Sequence, residues 1–268
     1  MYVADSMTTR PSPEPLHVGQ DAPMDLFFEE EAPRWANRYL SHTYQQRRNL
    51  VLSTVLEELS TVKMNRATEY RALDFGCGAG VFVEALSTMG IRVTGVDRSR
   101  AMIEAAQSQL GSSCNAELEL LRDEFGKDGA YRRRSYDLVL CLSVLEFAAY
   151  PAEIIDHLAA LLAAGGLLIL TVPNRNSYLR RLERFAFDHP VFNRWLPGLN
   201  HLALPNCYLR HQTQQFTAEE LVHSTKRLGL EAEQHRFHVA PSLCAPIETL
   251  ENVGMMILLS FRKRTRTG

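Results

Sequence analysis

Three glycines within five positions form the most chemically suggestive stretch of this 268-residue chain. Apolar residues lead into Gly76, Gly78 and Gly80, and the apolar run Val81–Leu86 continues with the pattern of a helix. A strand that turns through glycines into a helix presents bare backbone N–H groups and the positive end of the helix to a ligand. We therefore interpret Leu73–Gly80 as a loop that binds a nucleoside cofactor.

Two acidic residues narrow the class of cofactor. Asp97 ends the apolar run Ile91–Asp97, where an acid can accept hydrogen bonds from both ribose hydroxyls. Nicotinamide cofactors use an acid at the same place, so Asp97 alone does not distinguish them from other nucleoside cofactors. However, the fingerprint of dinucleotide-binding loops is Gly-x-Gly-x-x-Gly, and in this chain Val81 stands where the last of these glycines is required. Asp74 also precedes the first glycine, where a carboxylate would repel a pyrophosphate and attract an amino-acid ammonium group.

Strand and helix patterns alternate along most of the chain. Seven runs are predicted to be strands: Arg71–Phe75, Ile91–Asp97, Glu117–Leu121, Tyr136–Leu142, Leu167–Val172, Leu230–Val239 and Val253–Phe261. The helices between them are expected to begin at caps such as Ser99 and Thr217 and to end at glycines such as Gly90 and Gly165–Gly166. Nearly continuous apolar strands indicate an α/β fold whose parallel sheet is covered on both faces.

Three segments depart from this pattern. Residues 1–24 are rich in Pro, Ser and Thr and are expected to be a disordered leader. Residues 25–65 are predicted to be N-terminal helices, which either pack simply against the fold or form a flap over the glycine loop. Residues 174–215 are too long for an ordinary connection and are predicted to be a helical cap over the strand ends.

The composition is that of a soluble globular protein. The net charge of −2 gives no indication of a nucleic-acid or acidic-substrate partner. Five scattered cysteines without paired spacing argue against a zinc site or a disulfide framework and favour a cytoplasmic location. The longest apolar run, Leu158–Val172, is too short to span a membrane and is interrupted by Gly165–Gly166.

Five motifs in order resemble class I S-adenosylmethionine-dependent methyltransferases, especially the small-molecule branch that includes ubiquinone- and secondary-metabolite-type enzymes. They are Leu73–Gly80, Val93–Ser99, Tyr136–Glu146, Gly165–Asn174 and Gln215–Leu230. One departure is Phe147, where that branch often has a histidine. The resemblance implies a seven-stranded, mostly parallel Rossmann-like sheet with N-terminal helices and a helical cap insertion. It also implies a methyltransferase domain over 25–268, with S-adenosylmethionine as cofactor and S-adenosylhomocysteine as product.

The resemblance assigns cofactor contacts to the first two strand ends. Gly76 and Gly78 let the backbone approach the methionine moiety, and Asp74 orients its ammonium group. Asp97 holds the ribose hydroxyls, with Arg98 beside the adenine. The alternative interpretation of each of these acids is a solvated residue at the end of a strand, with no role in binding.

Further contacts are implied after the third and fourth strands and in the N-terminal segment. Asp123, with Glu124 as its neighbour, meets the adenine amino group, while Leu142 and Ser143 border the cofactor. In the N-terminal segment, Tyr39 and Arg47 are predicted to contact the cofactor.

Candidate catalytic residues follow from the need to deprotonate a hydroxyl acceptor. Tyr44, which with Arg47 is expected to close over the cofactor carboxylate, is one candidate. The others are histidines of the predicted cap, each of which has the simpler reading of a surface residue: His189, His201 and His211. Because no fixed cluster of metal ligands is present in the sequence, the reaction is predicted to be metal-free.

The predicted function is methylation of an oxygen or nitrogen atom of a small, hydrophobic or aromatic metabolite by in-line displacement. Aromatic residues of the predicted cap motivate this acceptor class: Tyr178, Phe185, Phe187, Phe192 and Trp195. A nucleic-acid methyltransferase is an alternative that rests on the arginines of 132–134 and 175–184. A catalytically silent cofactor-fold protein that serves a partner is another, and the oligomeric state is left open.

Overall fold

The protein is described here by a computed structural model over residues 24–61, 70–110, 115–122, 129–189, 208–238 and 250–265. Its strands are β1 (Arg71–Phe75), β2 (Arg92–Asp97), β3 (Ala116–Leu120), β4 (Tyr136–Leu142), β5 (Leu162–Pro173), β6 (Leu230–His238) and β7 (Met256–Lys263). Its α-helices are α1 (Met24–Arg38), α2 (His42–Thr61), α3 (Val81–Thr88), α4 (Arg100–Gln109), α5 (Pro151–Leu161), α6 (Tyr178–Asp188), α7 (Tyr208–His211) and α8 (Ala218–Lys226). Short 3-10 turns occupy Ala130–Arg133 and Leu145–Phe147.

The strands form one seven-stranded sheet in the order β3-β2-β1-β4-β5-β7-β6. Strands β1 to β5 are parallel, and β7 is antiparallel to both of its neighbours, β5 and β6. The carboxyl ends of β1 to β6 therefore lie at one edge of the sheet. Strand order reverses between β1 and β4, the place where open α/β sheets bind ligands. The predicted α/β fold with a mostly parallel sheet is confirmed.

The sheet is buried on both faces because alternate side chains of each strand point to opposite sides. On one face, Leu138 and Leu140 of β4 pack with side chains of α2 and α3 such as Val55. On the other face, Val139 packs with side chains of α5 and α8 such as Leu158. This two-layer cover explains why the strands read as continuous apolar runs.

Local signals in the sequence account for several helix boundaries. Ser99 caps α4 by accepting a hydrogen bond from the Met102 N–H. Thr217 and Glu220 form the predicted capping box at the start of α8. The predicted helix stop at Gly90 also holds, because α3 ends two residues earlier and Gly90 has a φ of 84°.

The predicted boundary between α5 and β5 is wrong. The sequence placed the end of the helix at Gly165–Gly166, whereas α5 ends at Leu161 and β5 begins at Leu162. Leu162 pairs with Tyr136, and an irregularity in the register precedes the next pair, Leu138 with Leu167. The two glycines therefore lie within the strand instead of closing a helix.

The start of β7 also differs from the prediction, which placed it at Val253. The segment before Met256 is a turn that the buried side chain of Asn174 holds in place. The Asn174 amide donates to the carbonyl oxygens of Glu251 (2.6 Å) and Gly254 (2.7 Å). The Asn174 side chain and the Ser177 hydroxyl, which donates to the Val253 carbonyl oxygen (3.0 Å), thus hold the turn from which the antiparallel strand begins.

Replacing Asn174 with alanine is expected to lower the free energy of unfolding by about 2 kcal/mol, because the Glu251 and Gly254 carbonyl groups lose the hydrogen bonds that the buried Asn174 amide donates. Asn176→Ala is the matched control, since its partly buried amide donates to one Glu251 carboxylate oxygen. Urea denaturation of the two variants and the wild type measures both changes. Equal losses in the two variants would show that the Asn174 hydrogen bonds are not what holds this turn.

Candidate functional site

The glycine loop lies at the carboxyl end of β1, beside the point where strand order reverses. Gly76 has a φ of 76°, and a Cβ atom placed on it would lie 2.3 Å from Val144 Cγ2. Gly78 has a φ of 53°, and a Cβ atom there would lie 3.1 Å from Trp35 Nε1. Both positions therefore require glycine, for backbone conformation and for the close approach of neighbouring side chains.

Asp97 ties this loop to the next strand end. Its Oδ2 accepts a hydrogen bond from the Gly78 N–H (2.8 Å), and its Oδ1 accepts one from the Ser99 N–H (2.9 Å). Burial raises the pKa of Asp97, and the backbone N–H groups of Ser99 and Gly78 oppose that shift. Each carboxylate oxygen keeps a second lone pair, so Asp97 can hold the loop and accept hydrogen bonds from a diol.

Asp74 lies directly under the loop and is 2% exposed. Its Oδ2 is buried and has no hydrogen-bond partner among the described residues. Burial, followed by the nearby charge of Asp97, raises the pKa of Asp74 to about 7. A buried carboxylate oxygen without a partner is costly, and a cationic ligand group would satisfy it.

Helix α1 closes over this side of the site. The Glu29 carboxylate accepts hydrogen bonds from the backbone N–H groups of Arg100 (2.6 Å) and Ala101 (3.0 Å), at the positive end of α4. The Trp35 ring lies against Gly78 and is edge-on to Phe28, with ring centroids 5.7 Å apart. The N-terminal segment thus contacts the glycine loop directly.

Aromatic rings continue from α1 towards the end of β4. Phe28 lies edge-on to Phe147 at 5.4 Å and to Phe27 at 5.2 Å. Phe27 in turn contacts the ring of His211 at 5.1 Å. These four residues, which we call the aromatic wall, join α1, the turn after β4 and helix α7.

Arg47 of α2 reaches the carboxyl ends of β4 and β5. Its Nη2 donates to Ser143 Oγ (2.8 Å) and to Thr171 Oγ1 (2.8 Å). Arg47 Nε is buried without a partner among the described residues. Ser143 has a φ of 55°, a conformation that is uncommon for residues other than glycine, at the point where β4 turns into the following segment.

A second group of buried polar side chains includes two, Glu146 and His238, that lie near the charge of this arginine. Glu146 is 2% exposed, and burial raises its pKa to about 7. Burial lowers the pKa of His238 to about 3, with help from the charges of Arg47 and Arg180. Glu146 Oε2, Gln212 Oε1 and His238 Nε2 are buried with no hydrogen-bond partner among the described residues. We call Glu146, Gln212 and His238 the polar cluster.

The remaining predicted site residues lie in α2 and β4 and directly after α1 and β2. The Tyr39 ring packs edge-on against Tyr44 (5.2 Å) and Phe82 (6.2 Å). Burial raises the pKa of Tyr39, and the charge of Arg47 opposes that shift. Leu142 ends β4 in the core layer of α2 and α3, while Arg98 is exposed.

Of the histidines predicted as bases, His211 belongs to the aromatic wall. His189 is exposed and stacks on Phe185, with ring centroids 4.4 Å apart. His201, Asp123 and Glu124 lie outside the described residues, as do Phe192, Trp195 and residues 1–23 of the predicted leader.

The described ranges contain no group of three or more His, Cys, Asp or Glu side chains that could hold a metal ion. Within the same ranges, no helix combines the length and apolarity that crossing a bilayer requires. The metal-free reaction stays a prediction.

Sequence reasoning missed the polar cluster and Glu29. Glu146 carried a usable signal, because it follows an apolar strand by a few residues, where ligand-binding side chains collect. His238 was visible as the end of a predicted strand, but its place at the site depends on the direction of β6, which the sequence pattern does not specify. Glu29 is one of three consecutive glutamates in a helix and carried no signal of its own.

Comparison with known proteins identifies the family. Residues 43–235 match a family model described as a methyltransferase domain. The chain is 34% identical over 129 residues to a ubiquinone biosynthesis O-methyltransferase of Saccharophagus degradans, covering 45% of this chain and 53% of that protein. It is 36% identical over 141 residues to the protein of that name from Psychrobacter arcticus, covering 46% and 52%. The chain therefore matches about half the length of these curated relatives.

A solved structure supports the fold. Magnesium protoporphyrin IX methyltransferase from Synechocystis PCC 6803, with bound S-adenosylhomocysteine, superposes with a TM-score of 0.60 at 18% identity. The superposition covers 89% of this chain and 97% of that one. Together with the family model, which spans well over half of the chain, the motifs around Gly76 and Asp97 settle the assignment. The chain belongs to the methyltransferase-domain family, in its class I S-adenosylmethionine-dependent branch.

Proposed function

We propose that this chain transfers the methyl group of S-adenosylmethionine to an oxygen or nitrogen atom of a small, aromatic or hydrophobic metabolite. The proposal rests on one observation, which is that two different sets of residues lie on the two sides of the sheet's carboxyl edge. Acids and glycines lie on the β1–β2 side, and the polar cluster lies on the side of β4 to β6 near the aromatic wall. The names of the ubiquinone O-methyltransferase relatives support an oxygen acceptor.

The residues at β1 and β2 fit S-adenosylmethionine. Asp74 offers a buried carboxylate oxygen with no partner among the described residues, which suits the ammonium group. Asp97 offers the free lone pairs that the ribose hydroxyls need, and Arg98 follows it on the adenine side. Gly76 and Gly78 allow the backbone to approach the methionine moiety.

Arg47 and Tyr39 complete the proposed cofactor site from the N-terminal helices. The unpartnered Arg47 Nε suits a carboxylate, and the Ser143 and Thr171 hydroxyls hold the guanidinium in place. Leu142 and Ser143 border the cofactor from β4. We accordingly assign residues 25–65 as a flap and 174–215 as a cap within a single methyltransferase domain.

The chemistry requires positioning more than activation. S-adenosylmethionine supplies a methyl group on a sulfonium, whose leaving group is already activated. The chain therefore needs to align the acceptor with the methyl carbon and to exclude water, which lowers a barrier by about 7–11 kcal/mol in well-oriented reactions. The aromatic wall and the closed contact of Trp35 with Gly78 serve water exclusion.

Several of the arginines that motivated a nucleic-acid substrate are paired with acids. Arg134 binds Glu117 (2.6 Å), and Arg175 binds Glu220. Arg180 is buried, 2.5 Å from the Glu183 carboxylate. Paired or buried guanidinium groups contribute little to phosphate binding, so this pattern favours a small-molecule acceptor.

Asp97→Ala is expected to weaken binding of S-adenosylhomocysteine by about 100-fold or more, because it removes a charged acceptor from both the ribose and the loop. Asp137→Ala is the matched control. Asp137 is also a strand aspartate that accepts a backbone hydrogen bond, from Arg71, but at the opposite edge of the sheet. Isothermal titration calorimetry measures both affinities. Unchanged binding by Asp97→Ala, or no binding by the wild type, would refute the proposed cofactor site.

Cofactor affinity is expected to depend on pH through Asp74. Because the pKa of Asp74 is raised to about 7, the Asp74 carboxyl group of the ligand-free protein is mostly protonated below pH 7. An ammonium group must displace that proton in order to bind. Affinity should therefore fall as pH drops from 7, by up to about tenfold per pH unit.

Asp74→Asn should bind more weakly at pH 7.5 and lose this dependence. Calorimetry at pH 6 in two buffers of different ionisation enthalpy reports the proton released on binding by the wild type. If Asp74→Asn keeps the full pH dependence of affinity, a group other than Asp74 causes that dependence.

A further inference from the structure

The polar cluster is not explained by the fold. Three side chains from separate elements, Glu146, Gln212 and His238, each bury a polar atom with no hydrogen-bond partner among the described residues. Folded proteins pair nearly all such atoms, so unpaired ones mark a place where a ligand or a reaction can use them. The cluster shares the carboxyl edge of the sheet with the glycine loop but contains none of the residues assigned to the cofactor.

Glu146 lies between the glycine loop and the cap. Two residues before it, the Val144 side chain lies against Gly76. Its own carbonyl oxygen accepts hydrogen bonds from the backbone N–H groups of Thr213 (2.9 Å) and Gln214 (3.2 Å), which follow α7. The backbone of Glu146 is therefore held where the loop, the sheet edge and the cap meet.

The surroundings of Glu146 suit a carboxyl group that exchanges a proton near neutral pH. Burial raises its pKa, and its own backbone N–H, the Arg47 charge, the Ser143 hydroxyl and the Arg180 charge oppose that shift. Cys141 of β4 also lies near it, and burial raises the pKa of that thiol well above its usual range. His238 stays neutral because its pKa is low, so it adds no opposing charge at pH 7.

We propose that Glu146 is the catalytic base, and that its Oε2 accepts the proton of a phenolic hydroxyl group on the acceptor. The phenol oxygen forms a bond to the methyl carbon while the bond from carbon to sulfur breaks. The electron pair of the broken bond stays on the sulfur, and the hydroxyl proton moves to the carboxylate. This role rests on the proposed function, because the methyl donor is S-adenosylmethionine. Ser143 and Arg47 are positioning residues that orient the carboxylate.

The test compares two acceptor probes, catechol and the more acidic 4-nitrocatechol, in the wild type and Glu146→Gln. With catechol, the variant is expected to lose about 10²–10⁴-fold in kcat, because the hydroxyl must lose its proton. With 4-nitrocatechol, which is largely ionised at pH 8, the loss is expected to be much smaller. The rise of kcat with catechol from pH 6 to pH 8 should be present in the wild type and absent in the variant.

Glu58→Gln is the matched control. Glu58 is also a buried glutamate, and burial followed by its interaction with Glu233 raises its pKa to about 7. It binds Arg262, which pairs with Leu167 towards the start of β5, away from the carboxyl edge. This control should keep both the rate and its pH dependence.

An infrared difference spectrum between pH 6 and pH 8 gives a readout without an acceptor. Glu146→Gln is expected to lose one protonated-carboxyl band that the wild type shows at pH 6. An unchanged spectrum would overturn the assignment, because Glu146 would then not exchange a proton in this range.

The activity measurements separate the remaining outcomes. An equal loss with both catechols would make Glu146 structural, and full activity in Glu146→Gln would remove it from the reaction. A wild type that binds S-adenosylmethionine in calorimetry but methylates neither catechol would refute a phenolic acceptor while leaving the cofactor site intact. A wild type that binds no cofactor would refute the proposed function, and the role of Glu146 with it.

Discussion

The carboxylate of Asp97 is the contact on which the rest of the site depends. It joins the loop after β1 to the start of α4 by accepting one backbone N–H from each. The position of Gly78 sets where Trp35 can lie, and the start of α4 is where Glu29 docks. One side chain therefore positions the glycine loop and, through it, the helix that closes over the loop.

Charge is distributed unevenly along the carboxyl edge. Asp74, Asp97 and Glu29 lie on the β1–β2 side, while Arg47 and Arg180 lie on the side of β4 to β6. A cationic donor is attracted to the first side and repelled from the second. Under the proposed function, this asymmetry orients the donor along the carboxyl edge of the sheet.

Much of the fold followed from local patterns, because β1, β4 and the caps at Ser99 and Thr217 depend on nearby residues alone. The boundaries that failed depend on contacts distant in sequence. Asn174 helps to hold the turn before β7 from about 80 residues away, as the separation of its bond to Gly254 shows. The glycine loop and Asp97 were predictable because their signals also lie in residues that are close together in the sequence. The polar cluster was not, because its residues come from the turn after β4, the cap and β6.

The contact of Glu29 with α4 carries a consequence for turnover. A carboxylate at a helix N-terminus is held by charge, and dissolved salt weakens such an interaction. Since α1 also covers Gly78 through Trp35, a ligand on the glycine loop lies behind this helix. Under the proposed function, the ionic strength of the surroundings therefore acts on the exchange of spent cofactor as well as on the docking of α1.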